Sequence, residues 1–434
     1  MTIHSPKIIP RSGHVISRAA ISENALKVLY RLKSAGFKAY LVGGCVRDLL
    51  LGREPKDFDV TTDAHPEALK TLFRNCRLVG RRFRLAHVRF GREIIEVATF
   101  RAQHQGDSEG GLIENGMILR DNVYGSIEED AWRRDFTVNA LYYNIDDFSV
   151  VDYTDGVEDL QAGVLSLLGE PEVRFREDPV RMLRAVRFAA KLGFRIAPAT
   201  EKAIFILGHL LADIPPARLF EEVLKLFLAG CAVQTYELLR HYGLFVHLFP
   251  ETDSCLSEEE QGYPHMFVLR AMENSDRRIA ENKPVTPAFL FAALLWEPVR
   301  ALRDRDLTAG MTAVQAMQSA GSQALSEQMQ HVMLPRRFSS QAREIWQLQP
   351  RLIRMTGNRR ALKLLPHPRF RAAYDFLLLR AQAGEAVQDA CDWWTRCQEA
   401  DEQELGKLCS APKKRRRSPR RRQSAKAKAK GETP

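Results

Sequence analysis

The stretch LVGGCVRDLLLGREPKDFDV, residues 41–60, decides the fold. A Gly-Gly turn is followed by an Arg-Asp pair and then by two carboxylates, Asp57 and Asp59, one residue apart. Side chains alternate faces along an extended strand, so Asp57 and Asp59 are expected to point the same way. Two ionised carboxylates that close repel each other unless a cation lies between them. A hard, oxygen-seeking ion such as Mg²⁺ suits the pair, because it takes one or two protein carboxylates and fills its shell with water and phosphate oxygens. Gly43 and Gly44 let backbone N–H groups approach an anion with no Cβ in the way, and Arg47 supplies a charge for a phosphate. Alone, a Gly-Gly is usually a turn and a DxD a solvated strand end. In this order, within one short unit, they outline a site for a triphosphate and its metals.

Outward from that stretch, Ser22 caps an expected helix over 23–34, ended by Gly36. KAYLVGG (38–44) reads as a buried strand, VRDLLLG (46–52) as a short helix and DFDV as the second strand. A helix over 65–76 has Pro66 in its first turn. Strands follow at 85–91 and 92–101, the second placing Glu96 on the face of the metal site. Residues 104–117 are polar and Gly-rich and read as a mobile loop. This mixture over 17–160 indicates an α/β head with a small sheet. Beyond about 175 the strand signals fade, and helices are expected at 179–191, 198–210, 216–229 and 234–245, with more between 260 and 400.

Two further constellations stand out. In SIEEDAWRRDFTVNALYY (126–143), Arg133, Arg134 and Asp135 precede a stretch read as helical, with Asn139 four residues on from Asp135. Asp135 is either a simple N-cap or, with Arg134, part of a pair facing a nucleotide. In REDPVRMLRAVRFAAKLGF (176–194), Asp178 and Pro179 make a good cap and first turn. Arg181, Arg184 and Arg187 lie along one helix edge, where they repel without an anion or carboxylates nearby. An Asp accepting from an amino group and an Arg donating to a ring nitrogen can read a base edge, so Asp178 and Arg181 suit adenine.

Composition bounds the rest. The 434 residues suffice for two or three domains with a sizeable core. No apolar run is long enough to span a bilayer, and the N-terminus lacks the apolar region of an export signal. The seven cysteines (Cys45, Cys76, Cys231, Cys255, Cys391, Cys397, Cys409) form no CxxC pair, which argues against structural zinc and a disulfide framework and points to a reducing cytoplasm. From Pro412 to Pro434 there are eleven Lys or Arg and one acid, Glu432, a net +10. The whole chain is also +10, so residues 1–411 sum to zero. The tail has no large apolar residue, so it is expected to be disordered and to bind a polyanion, with nucleic acid favoured by its Arg density.

The combination of LVGGCVRD, DFDV, RRDFTVNAL and EDPVRMLRAVRFA resembles the class II nucleotidyltransferase superfamily, which contains bacterial poly(A) polymerases and CCA-adding tRNA nucleotidyltransferases. More narrowly, LVGRRFRLAHVRFGREIIEVATFR (78–101), IPPARLFEEVLKL (214–226), VTPAFLFAALLW (285–296), IWQLQPR (345–351) and LPHPRFRAAYDFLLLRA (365–381) resemble the poly(A) polymerase branch. The likeness covers about residues 17–400 and ends in a variable basic tail of the kind that branch carries.

The resemblance implies an α+β protein: a small DNA-polymerase-β-like nucleotidyltransferase head with a small sheet, then an all-α neck and body and a disordered basic tail. The expected bounds are an N-terminal extension (1–16), head (17–160), neck (161–250), body (251–405) and tail (406–434). It implies that Asp57 and Asp59 bind metal, with Asp135 a third active-site carboxylate. Gly43, Gly44 and Arg47 match the triphosphate segment, and Asp178 with Arg181 the nucleotide-selecting pair. Arg134, Asn139, Arg184 and Arg187 complete the candidate nucleotide contacts. Whether Glu96 or Asp135 is the third metal-facing carboxylate stays open. Cys45 stands where the family more often has Gly or Ala, which makes a redox-sensitive site conceivable. The implied activity is template-independent addition of AMP from ATP to RNA 3′-ends with release of pyrophosphate, promoting RNA decay. It implies two Mg²⁺, with Mn²⁺ as an alternative, and ATP as substrate. Implied partners are RNA 3′-ends and RNA-decay or RNA-chaperone proteins. Two rivals are a CCA-adding enzyme and a non-catalytic RNA-binding protein on the same scaffold. The tail and GRRFRLAHV argue against the first, and the three intact aspartates argue against the second.

Overall fold

The computed structural model describes residues 5–80, 84–102, 111–114, 117–121, 123–257 and 265–410. In the head, eight strands form one mixed sheet in the spatial order Lys7–Ile9, Val150–Asp152, Leu141–Asn144, Ala39–Val42, Asp59–Thr62, Glu93–Thr99, Leu85–Phe90, Cys76–Val79. Neighbours are antiparallel except Asp59–Thr62 and Glu93–Thr99, whose parallel register sets Asp59 beside Glu96. Helix Glu23–Ser34 begins where the sequence places it: the Ser22 hydroxyl accepts from the Asn24 N–H at 3.2 Å. Val28, Leu29 and Leu32 of its apolar face are buried. The strand Ala39–Val42 breaks at Gly43, whose φ of 77° suits only glycine, and helix Gly44–Leu50 follows at once.

Several local readings change. The second strand starts at Asp59, so Asp57 lies in the bend before it rather than in the strand. The helix expected over 65–76 is Pro66–Leu72, because Cys76–Val79 leaves it to pair with Leu85–Phe90 as the sheet's edge. Within the expected loop 104–117, Gly111–Glu114 pairs with Met117–Asp121 as an antiparallel hairpin, while 103–110, 115 and 116 lie outside the described residues. The stretch after Asp135 is a single turn, Thr137–Asn139, before strand Leu141–Asn144. There the aromatic run Leu141-Tyr142-Tyr143 is wholly buried in the sheet, and burial outweighs helix propensity.

Helices Val180–Leu192, Pro198–Leu207, Pro216–Phe227 and Ala232–His241 follow, two of them opened by a proline. Strand pairing past residue 160 is limited, among the described residues, to the short parallel pair Val164–Leu165 and Arg195–Ile196. Contacts divide the chain into two compact units, Met1–Arg343 and Glu344–Pro434. The first unit runs past residue 250, the neck–body boundary expected from the sequence. Asp276, on helix Phe267–Ala280, ties that later segment to Ala232–His241 by accepting from Ala232 N at 2.6 Å and Val233 N at 3.0 Å. In the second unit, helices Phe370–Gln382 and Gln388–Glu399 bury Phe370, Leu377 and Trp394, whose indole N–H donates to Leu352 O at 2.9 Å. Among the described residues no helix is long and apolar enough to cross a membrane. The basic stretch 412–434 lies outside them.

Candidate active site

Asp57 and Asp59 open onto solvent at the head of the strand Asp59–Thr62. The wall around Asp59 is nonetheless crowded. Partial burial, then the neighbouring Glu96 and Asp57 carboxylates, push its carboxyl pKa up to about 6, against a smaller opposing pull from Arg134. Glu96, opposite Asp59 in register, also meets His87 at 3.3 Å. A cleft edge that holds three acids together and lacks enough cation is suited to a divalent ion, and its donors are all oxygen. No three His, Cys, Asp or Glu among the described residues are close enough to cage an ion by themselves.

Helix Ile127–Trp132, with a reciprocal Ser126–Glu129 capping box, delivers Arg133, Arg134 and Asp135. Asp130, buried four residues before Arg134, accepts from its Nη2 at 2.9 Å and from the Tyr142 hydroxyl at 2.7 Å. Burial alone pulls the Arg134 pKa down, but Tyr142 and Asp130 carry it above its ordinary value, so its charge is permanent. Arg133 stands in the opposite environment. Burial and the guanidiniums of Arg101, Arg134, Arg174 and Arg181 together pull its pKa down to about 9. Arg174 helps hold this cluster, donating from Nη2 to the carbonyls of Arg133 at 2.8 Å and Arg134 at 2.6 Å. Five guanidiniums converging beside an acidic edge form a receptor for a polyanion.

Other expected contacts are already committed within the protein. The Gly43 N–H donates to Leu141 O at 3.1 Å instead of remaining open to an anion. Gly43 is still needed, because its φ of 77° is one a side chain rarely adopts. Arg47 is engaged within the protein. It is buried, donates to Asp48 at 2.7 and 2.9 Å and to Asn139 Oδ1 at 2.6 Å, and lies over the Phe188 ring. An arginine this deep satisfies its fork on the protein because leaving it unpaired is costly. Asn139 continues the chain by donating to Asp135 Oδ1 at 3.1 Å, although the two are not on a common helix.

Asp135 sits apart from the carboxylate edge. Its Oδ2 accepts from Arg184 Nε at 2.8 Å, and its Oδ1 accepts from the Phe136 N–H. Burial opposes its ionisation, but Arg184, Asn139 and the Phe136 N–H outweigh it and bring the pKa down to about 2. Glu96 is the acid that the sheet register sets beside Asp59. Arg187 packs its guanidinium 4.6 Å from the Phe188 ring centre, near Arg184 and Glu222. On the neighbouring turn, Asp178 accepts from Val180 N at 3.3 Å and pairs with Arg218 at 2.7 Å, while Arg181 pairs with Glu177 at 2.8 Å. The buried thiol of Cys45 is pushed up to about 12 and donates to Val42 O, which makes it inert.

Sequence reading missed Arg101, Arg174, Asp130, Glu177 and Arg218. A usable signal existed for Asp130, an acid four residues before Arg134, and for Glu177, four before Arg181. Nothing local marks Arg101, Arg174 or Arg218.

Three family models match the chain: the Poly A polymerase head domain over residues 39–166, the probable RNA- and SrmB-binding site of polymerase A over 193–256, and the Polymerase A arginine-rich C-terminus over 309–428. Poly(A) polymerase I of Salmonella typhimurium is 53% identical over 428 residues, covering 96% of this chain and 92% of that protein. The CCA-adding enzyme of Lactobacillus helveticus is 40% identical over 214 residues, covering 49% of this chain and 52% of that enzyme. The crystal structure of the Bacillus stearothermophilus CCA-adding enzyme in complex with CTP aligns with a TM-score of 0.56 at 27% identity, covering 86% of this chain and 80% of that one. The fold is that of a nucleotidyltransferase. Within that class, the chain belongs to the poly(A) polymerase I family.

Proposed function

We propose that the chain transfers AMP from ATP to RNA 3′-ends without a template and releases pyrophosphate. The observation that carries this reading is the acidic edge of Asp57, Asp59 and Glu96 beside the guanidiniums around Arg133 and Arg134. Sequence identity of 53% to a poly(A) polymerase extends over nearly the whole chain, whereas the 40% identity to a CCA-adding relative spans about half of it, which supports ATP rather than CTP as the preferred substrate. RNA is the acceptor in this reading, supported by the match of residues 193–256.

Asp57 and Asp59 would hold the divalent ions, Mg²⁺ or Mn²⁺. Bound there, the ions supply Lewis acidity at the 3′-hydroxyl and the triphosphate oxygens. The protein's share is positioning. Arg133 and Arg134 receive the triphosphate, and their fixed charges meet the negative charge that builds on departing pyrophosphate. The RNA 3′-oxygen attacks the α-phosphorus in line, forming one P–O bond as the α–β bridge breaks. Asp178 accepts from the adenine amino group and Arg181 donates to a ring nitrogen, so the protein reads the base that a template otherwise would.

Isosteric Asp57→Asn and Asp59→Asn variants test the assignment. Each is expected to keep its fold and RNA affinity and to lose AMP incorporation by about a hundred- to a thousandfold, the scale of a lost transition-state electrostatic contact. Near-normal turnover in the folded double variant would overturn it.

A further inference from the structure

On one face of the head sheet, four strands bring Asp59, Glu96, His87 and Arg77 into a single row. Asp59 pairs in register with Glu96, Glu96 with His87, and His87 with Arg77. Strands lie about 4.8 Å apart, so the row runs roughly 14 Å from the acidic edge to the outermost strand, Cys76–Val79. Arg89, two residues on from His87, lies on the same face. The opposite face is core: Val60, Val97, Ile95, Ala86 and Val88 are buried. The face with the row is open beyond Asp59, where Arg77 and Arg89 are exposed and Ile94, opposite Arg89, is 39% exposed. On the other side of Asp59 the same face is closed. Tyr40 pairs with Thr61 and Val42 with Tyr142, and Val42 and Tyr142 pack with Ala131 of helix Ile127–Trp132. That helix delivers Arg134, whose charge acts on Asp59.

The open side is strongly basic. Residues 74–92 hold seven arginines and no Asp or Glu, and Arg77 and Arg89 have no ion-pair partner among the described residues. An edge strand often carries a charge that blocks pairing with another chain, which explains Arg77. It does not explain Arg89, whose strand is paired on both sides. We infer that the face carrying Arg77 and Arg89 binds the 3′-terminal stretch of the acceptor RNA, with backbone phosphates on the two guanidiniums and the 3′-oxygen at the Asp59 edge. This rests on the reading of the chain as an RNA adenylyltransferase. In-line displacement sets the attacking oxygen and the departing pyrophosphate on opposite sides of the α-phosphorus. The triphosphate is received around Arg133 and Arg134, on the closed side, so the acceptor arrives over the open one. At the length of the row, Arg77 meets a phosphate within the last few nucleotides. Contacts to the backbone carry no base preference, which suits an enzyme acting on varied 3′-ends.

The test uses the full chain and a short single-stranded RNA, so that contacts far from the 3′-end contribute little. RNA affinity across a salt series, the KM for RNA and for ATP, and Tm are measured for the wild type, Arg77→Gln, Arg89→Gln and Arg77→Lys. Arg277→Gln, which removes an exposed charge from helix Phe267–Ala280, is the control. Each Gln variant at the row is expected to weaken RNA binding on the order of tenfold, the scale of one charged hydrogen bond. Each should also flatten the log–log salt dependence by about 0.7, the share of one phosphate on a single strand. The ATP KM and Tm should stay near wild type, and Arg77→Lys should keep most of the affinity because it keeps the charge. Unchanged RNA affinity in both Gln variants overturns the inference, as does an equal loss in Arg277→Gln, which assigns the effect to net charge. A raised ATP KM with RNA affinity intact also overturns it, by placing the triphosphate on this face. If the wild type makes an A-tract and the variants match its RNA affinity, the inference is wrong and the proposed activity stands. If the wild type extends no RNA but the variants still bind it more weakly, the proposed activity fails and the RNA-binding face stands.

Discussion

At Asp59, ionisation and folding are linked. Its folded-state carboxyl pKa, about 6, lies above the ordinary value of 3.8 because of partial burial, Glu96 and Asp57. The folded protein therefore holds this proton more tightly than the unfolded chain. Stability from this group is intact below about pH 4 and is lost as pH rises toward 6. In metal-free protein, Tm should fall across that window, and Mg²⁺ should remove the fall by neutralising the edge. Asp59→Asn should remove it without metal. Melting curves at pH 4.5 to 7, with and without Mg²⁺, decide the matter; the same slope in Asp59→Asn would assign the effect to another group. Asp135 behaves oppositely. Its pKa of about 2 means that its contribution is present above pH 4 and fades only as pH falls toward 2. Asp135→Ala leaves Arg184 without its partner and should cost about 2–3 kcal/mol, because Arg184 is part-buried and loses a charged hydrogen bond. Urea denaturation reads this directly, and a change below about 0.5 kcal/mol would show that the pair is not structural.

Among the elements, the strand–turn–helix from Ala39 to Leu50 was legible because its signals agree: a short apolar run, a Gly pair, then helix formers. Gly43→Ala should cost about 1–3 kcal/mol, since φ of 77° is unfavourable for alanine, and the strained turn should weaken ATP binding beside it. ATP titration with the folded variant checks the second part, and unchanged ATP affinity would separate Gly43 from the site. Helix ends were legible wherever a cap or proline marked them, as at Ser22, Pro198 and Pro216. Less was legible where tertiary pairing chose the state. Cys76–Val79 became an edge strand only because Leu85–Phe90 was there to pair with it. The site was half legible for a similar reason. DxD announces itself by spacing, and register with the neighbouring strand then brings Glu96. The commitment of Arg47 to Asp48 and Asn139, and of Asp135 to Arg184, depends on which surfaces fold together, so nothing in the local pattern distinguishes those arginines from ligand-facing ones.

For the whole molecule, charge is partitioned unevenly. Residues 412–434 carry +10, and the remainder sums to zero. Long-range attraction of a polyanion therefore comes mostly from that tail, while the arginines of the head act at contact distance. Deleting 412–434 should leave kcat on saturating RNA nearly unchanged, raise the RNA KM, and flatten the dependence of RNA affinity on salt. Parallel salt dependences in the two proteins would assign RNA binding to the folded units. The most direct measurement on the central claim is extension of a non-tRNA primer by the intact enzyme, with Mg²⁺ and each nucleotide in turn. The account predicts a long A-tract from ATP and little product from CTP. Efficient CTP incorporation, extension confined to a few nucleotides on tRNA alone, or no extension at all would contradict it.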